Sequence, residues 1–379
     1  MAACTHSFPA KSFVLPAGRA LLCASLGMLV ASCADSQDIY VAPTGADTNP
    51  GTQDAPFLTL SRADSAAGPG YTIHVAPGVY RVDAPAAHDA GIKTRRSGTA
   101  SARITYISTV KQGAKILLSG IGIAWDSKGS YVDIDGFDIS GSGRIGILAE
   151  GSNLVIRNNF IHDLMVSGGC KGSGGAAIDT YGPGGDVLID ANVVRNIGYR
   201  WIEGGTCNTV QGIYISNANN RVKNNIVSGV AAVGIQQWHG ATASTIVNNT
   251  VFHNKVGILI GQGDAGVSAR GSENNMVANN IVYDNTKYGI VEQGKIGRNN
   301  RYLDNLVHSS GTNVLVAGKV SGTISADPLF VNYQADGTGN YRLLGASPAI
   351  HKDAGKNALA AGLARLTGEP PVSLGASMK

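Results

Sequence analysis

The sequence predicts an all-β fold, a single-stranded parallel β-helix in which short strands coil into stacked rungs. Two repeats point to it. The first is an Asn followed by an apolar-x-apolar pattern: Asn159-Phe-Ile, Asn192-Val-Val, Asn225-Ile-Val, Asn249-Thr-Val, Asn280-Ile-Val and Asn305-Leu-Val, at spacings of 33, 33, 24, 31 and 25 residues. The second is a small residue before an apolar strand: Gly146-Ile-Leu, Ala177-Ile-Asp, Gly212-Ile-Tyr, Gly234-Ile-Gln, Gly257-Ile-Leu and Gly289-Ile-Val. Composition agrees, with 51 glycines for tight turns, 43% apolar residues and only 15% charged residues.

Such strands are too short to bury anything alone. Stacked about 4.8 Å apart, each pairs with its equivalent in the next rung and the rungs share one core. The recurrent Asn fits an internal ladder of side-chain amides that satisfies turn backbone, a structural role. Helical solenoids lack this period-2 pattern, and a propeller blade needs four strands in about 40 residues, more than these spacings hold.

Taken in order, residues 1–32 read as a signal peptide. Lys11 and Arg19 precede an apolar run from Ala20 to Ser32, shorter than the roughly 20 residues that span a bilayer. Val30-Ala-Ser-Cys33 resembles a bacterial lipobox, which makes Cys33 the lipidated first residue of an exported protein; Ala34 after it implies the outer membrane, facing periplasm or cell surface, with simple secretion as the alternative. Residues 33–39 form a tether, 40–350 the β-helix and 351–379 a C-terminal capping segment. Pro56 to Ala67 reads as a short amphipathic helix that closes the first rung, whose edge would otherwise be bare.

Removing the leader lowers the basic count from 30 to 28 against 26 acidic residues, a net +2. That is too little for nucleic-acid binding and is silent on an acidic polysaccharide. A monomer is expected, held to the membrane through its lipid. Two cysteines remain in the body of the chain, Cys170 and Cys207, and in an oxidising compartment they are expected to pair.

Tyr40-Val-Ala-Pro-Thr-Gly-Ala-Asp-Thr-Asn-Pro-Gly-Thr52, Pro56-Phe and Gly70-Tyr-Thr-Ile-His-Val-Ala-Pro-Gly-Val-Tyr80 closely resemble the opening of bacterial right-handed parallel β-helix proteins of the pectate-lyase-like superfamily, as also found in family 9 polysaccharide lyases. Ser97 to Tyr106 and Tyr131 to Ile139 resemble the next rungs, and Ala326-Asp-Pro-Leu-Phe330, Ser347-Pro-Ala-Ile350 and Pro371 to Ala376 the closing segment. The resemblance implies the fold and a carbohydrate partner. It carries over no catalytic residue, because the calcium-binding aspartate cluster and nearby lysine of family 9 pectate lyases are not recognisable. Asp133/Asp135 and Asp186/Asp190 read as surface pairs. No metal ligand is assigned, and no cofactor beyond an optional Ca2+.

The site is therefore sought from faces and loops. Val166–Gly174 and Gly198–Gln211 are insertions in consecutive rungs, within reach of a disulfide between Cys170 and Cys207. Alternation turns Ile178, Ile213, Ile235 and Ile258 inward, and Asp179, Tyr214, Gln236 and Leu259 outward. Tyr181, Trp238, His239 and Gln262 follow. Tyr181, Tyr214 and Trp238 are expected to form an aromatic platform for sugar rings. Asp179 and His239 stand beside it, with Tyr199, Arg200, Trp201 and Glu203 from the second insertion. Lys255 and His253 are expected on another face.

Three functions fit. The first is β-elimination, or the related C5 epimerisation, on a uronate-containing polysaccharide: Arg200 neutralises the carboxylate, and His239, Tyr181 or Tyr214 moves the proton. The second is hydrolysis by the carboxylates Asp179 and Glu203. The third is non-catalytic binding by a surface lipoprotein, with Trp238, Trp201, Tyr199, Gln236 and Gln262 as contacts.

Overall fold

The computed structural model describes residues 37–166, 169–171, 174–198, 207–264 and 271–350. The leader, Cys33, the loop residues Tyr199, Arg200, Trp201 and Glu203, and the segment 351–379 lie outside them. Among the described residues no helix is long and apolar enough to cross a membrane.

The strands stack in three parallel sheets, and the chain visits the sheets in turn as it winds a right-handed coil. One rung runs from Val155–Arg157 in the first sheet to Phe160–Val166 in the second and Gly175–Asp179 in the third. The next rung repeats the path through Leu188–Asp190, Val193–Ile197 and Val210–Ile215. The first sheet has 11 strands and the other two have nine each. The helix expected at the N-terminal end is Leu60–Ala66, capped by the Thr59 hydroxyl. It buries Leu60 and Ala63 against the opening rungs.

The interior is a continuous column of branched aliphatic side chains. In the third sheet Ile147, Ile178, Ile213, Ile235, Ile258 and Ile290 pair in register from rung to rung, and each is at most 1% exposed. Burying one such side chain contributes roughly 1.5–3 kcal/mol, so a register slip, which would turn the whole column outward, is strongly disfavoured.

The asparagine ladder lies at the corner between the first and second sheets. Asn159 donates to Asn192 at 3.0 Å, Asn192 to Asn225 at 3.0 Å, Asn225 to Asn249 at 3.0 Å, Asn249 to Asn280 at 3.0 Å and Asn280 to Asn305 at 2.9 Å, all side chain to side chain. Each ladder residue follows a left-handed residue, φ 54–58° at Asn158, Ala191, Asn224, Asn248, Asn279 and Asp304. That corner exposes turn backbone to the core, and the amides satisfy it.

One surface expectation changes. Asp133 and Asp135 are nearly buried because Arg103 and Arg157 from neighbouring strands fold over them as ion pairs. The antiparallel hairpin of Phe330–Asn332 and Asn340–Leu343 leaves the coil. Its Phe330 and Tyr341 pack with Phe252 and Tyr333.

Candidate functional site

Parallel stacking turns single outward residues into columns. On the third sheet Asp179, Tyr214, Gln236 and Leu259 align in register, as alternation predicts, and all four line one groove of about 630 Å³. The base of the second insertion walls it. Cys170 and Cys207 are joined by a disulfide with Cα atoms 4.6 Å apart, and Cys207, Asn208 and Thr209 line the groove.

The aromatic residues cluster differently from a flat platform. His239 sits in a left-handed turn, φ 51°, before Gly240. Tyr181 and Tyr214 both meet its ring steeply, at 72° and 67°. Trp238 lines the groove as well, but its ring lies across Gly261 and Gly263 of the next rung, where an added Cβ would fall 2.6 and 2.4 Å from it. It is thus part wall and part packing. Tyr181 is 57% exposed, the open hydroxyl of the site.

The structure corrects two placements. Gln262, expected among the sugar contacts, is 1% exposed and is not among the groove-lining residues. The strand Val256–Gln262 runs seven residues, so alternation continues past Ile258 and Ile260 and puts Gln262 on their side. Lys255, expected on another face, lines the groove and donates to the Cys207 carbonyl at 2.6 Å and to Asn208 Oδ1 at 2.9 Å. His253 does lie elsewhere, paired with Asp284.

A chain of three side chains forms the chemical core. Asp264 bonds His239 Nδ1, and His239 Nε2 lies 2.9 Å from the Tyr214 hydroxyl. A carboxylate at Nδ1 selects the tautomer protonated there, so Nε2 accepts from Tyr214. Beside this relay lies Asp179, 5% exposed. It accepts from the Tyr181 backbone N–H at 2.8 Å and more weakly from the Ser216 hydroxyl.

Burial pushes the Asp179 carboxyl up to about 6, against the pull of that backbone N–H and of Arg144 and His239 nearby. Burial, reinforced by Asp179 and Asp264, holds the Tyr214 hydroxyl well above the ordinary phenol range. Burial, with Lys287 beside it, lowers the Lys255 ammonium. A perturbed carboxyl and phenol converging on a histidine in a cleft are the pattern of a reactive site.

Arg144, Asp264, Lys255 and Lys287 were not selected from the sequence. Arg144 lines the groove beside Gly175, where an added Cβ would lie 3.1 Å from the arginine side chain. A signal for the three cations was present: each stands one residue before a strand of the third sheet. Asp264 had none, since it lies beyond the strand end. Among the described residues no group of three or more His, Cys, Asp or Glu side chains is arranged to hold a metal ion.

Comparison with known proteins agrees with the fold. Residues 39–181 match a family model described as "Pel9A-like, right handed beta helix region", and residues 171–327 match one described as "Right handed beta helix region". The uncharacterized protein YwoF of Bacillus subtilis (strain 168) is 27% identical over 66% of this chain and 69% of its own length. Pectate lyase PEL9 of Emericella nidulans is 36% identical, over 22% of this chain and 18% of its own. Among solved structures, pectate lyase Pel9A superposes with a TM-score of 0.62 at 17% identity, covering 83% of this chain and 91% of that one. A rhamnogalacturonan lyase superposes at 0.55 and 17% identity, covering 82% and 96%.

Proposed function

Because the chain belongs to the pectate-lyase-like superfamily of right-handed parallel β-helices, we propose that it is a polysaccharide lyase that cleaves a uronate-containing polymer by β-elimination in the groove of the third sheet. The observation that carries this reading is the Asp264–His239–Tyr214 relay, whose His239 and Tyr214 line one groove with Arg144. The names of relatives that act on acidic polysaccharides support the substrate class.

Each step falls to a residue of this chain. The Arg144 guanidinium, in the part first assigned to Arg200, pairs with the uronate carboxylate and makes the C5 proton easier to remove. Tyr214 takes that proton as it passes its own to His239 Nε2, so no free phenolate is required. Asp264 holds the imidazolium that results. The C5–H electron pair becomes the C4–C5 double bond, the C4–O bond breaks, and the exposed Tyr181 hydroxyl protonates the departing oxygen. Ionised Asp179 steadies the imidazolium. A C5 epimerase shares the first half of this sequence and differs in returning a proton to C5.

Hydrolysis needs two carboxylates; Asp179 is the single one among the described groove-lining residues, and Glu203, its partner in that reading, lies outside the described residues. Lipidation of Cys33 and delivery to the outer membrane belong to the same proposal; mass spectrometry of the N-terminal peptide tests them.

The deciding experiment incubates the chain from residue 34 onward with a panel of uronate polysaccharides. Rising absorbance from unsaturated ends is the expected result. New reducing ends without that absorbance would mean hydrolysis, and C5 inversion without cleavage an epimerase. Binding with none of these would refute catalysis.

A further inference from the structure

The groove's cations lie in one register column. Arg144 precedes Ile145, and the strands pair so that the positions matching Arg144 in successive rungs are Gly175, Val210, Ala232, Lys255 and Lys287. Lys287 N donates to the Lys255 carbonyl at 2.8 Å, which fixes those two as neighbours. At about 4.8 Å per rung, Lys255 stands roughly 19 Å and Lys287 roughly 24 Å from Arg144. The three positions between them are uncharged. Asp179 is the single acid among the groove-lining residues described, so charge is concentrated at the two ends.

The reactive side chains occupy the rungs in between. Asp179 and Tyr181 belong to the rung after Arg144, Tyr214 to the next and His239 to the third. No ion pair engages Arg144 or Lys287 among the described residues. Lys255 is held by a carbonyl and an amide oxygen, which orient its charge without neutralising it. The disulfide fixes Cys207, and through its carbonyl the Lys255 ammonium.

We infer that the groove binds a run of consecutive uronates about five units long, with one carboxylate at Arg144 and another at the Lys255–Lys287 end, and that the bond broken lies inside this run. A pyranose unit advances a polymer by about one rung spacing, so a chain along the column presents about one unit per rung. A polymer with a lone uronate among neutral sugars satisfies only one end. A run of acidic units satisfies both, and the reacting unit then lies mid-chain. This inference rests on the uronate reading above and adds length and charge spacing to it.

The test is calorimetric binding, scored separately from unsaturated-end absorbance. Oligogalacturonates and oligomannuronates of three and six units are titrated into the chain from residue 34 onward. A trimer cannot reach both ends, so in one of the two series the hexamer is expected to bind at least tenfold more tightly than the trimer. Exposed or half-exposed charge pairs are individually weak, so Lys255→Ala/Lys287→Ala is expected to shrink the hexamer-to-trimer ratio about three- to tenfold. Lys287→Ala alone, which leaves the Lys255 hydrogen bonds in place, is expected to shrink it by a smaller factor with unaltered folding. A carboxyl-reduced hexamer is expected to lose the preference. Equal affinities for three and six units in both series, or a ratio that the lysine variants leave unchanged, overturns the inference. A length step without unsaturated product would instead refute the lyase reading, and with it the position of the broken bond, and leave the five-unit binding run standing.

Discussion

Asp179→Asn separates a carboxylate kept for chemistry from one kept for stability. Asp179 is almost wholly buried, and its carboxyl titrates near 6 in the fold against an ordinary 3.8. A raised value means that the folded state holds the proton more tightly than the unfolded chain. Stability from that preference is complete below about pH 3.8 and is lost as pH rises through about 6. The gap of about two pH units, at about 1.4 kcal/mol each, amounts to about 3 kcal/mol of destabilisation at neutral pH. Asparagine carries no charge to desolvate, and its Oδ1 can still accept from the Tyr181 N–H. The variant is therefore expected to be more stable than the parent at pH 7.5 by up to about 3 kcal/mol, with the difference shrinking toward zero near pH 4. Its rate of product formation is expected to drop. Denaturant midpoints of both proteins at pH 4, 6 and 7.5, alongside initial rates, make the comparison. A variant less stable than the parent at pH 7.5, or equally active, would refute the argument that this burial serves the reaction.

Other consequences follow from the same geometry. Activity of the parent is expected to fall as pH drops below about 6, where Asp179 becomes protonated; a pH–rate profile shows this, and the limb should be absent in Asp179→Asn. His239→Ala is expected to lower turnover about 10²–10⁴-fold and Asp264→Asn by a smaller factor, both with unchanged circular dichroism. Serine at Cys170 and Cys207 should change mobility under non-reducing conditions and cost about 3–4 kcal/mol for a loop of 37 residues. Asn249→Ala removes the acceptor of both the Asn225 backbone N–H and its side-chain amide. The Asn225 side-chain amide keeps the Ile189 and Lys223 carbonyls as acceptors, so the backbone N–H is the one orphaned donor on Asn225, and the loss should reach about 1–3 kcal/mol in denaturant unfolding.

The coil was legible in the residues because its determinants are local. Period-2 alternation decides which side of a strand is buried, so the isoleucine column from Ile178 to Ile258 could be aligned without coordinates. The Asn ladder was legible for a similar reason: a corner amide must recur once per rung at a fixed offset. The outward column of Asp179, Tyr214 and Gln236 followed from the same alternation. The disulfide followed from cysteine count, the compartment expected from the leader and the placing of two insertions in adjacent rungs.

What the stack alone decided is what each outward side chain meets across a rung boundary. Rung lengths vary from 24 to 33 residues between ladder asparagines, so sequence spacing does not show that Asp264 reaches His239 or that Lys255 turns toward Cys207. Trp238 found its place on Gly261 and Gly263 because the missing side chains there leave the facing rung bare enough to receive an indole. The extra length of the strand Val256–Gln262 carried Gln262 inward. Local periodicity determines the face of a residue; its partners depend on how far each loop travels before the coil closes, and that is a property of the folded chain.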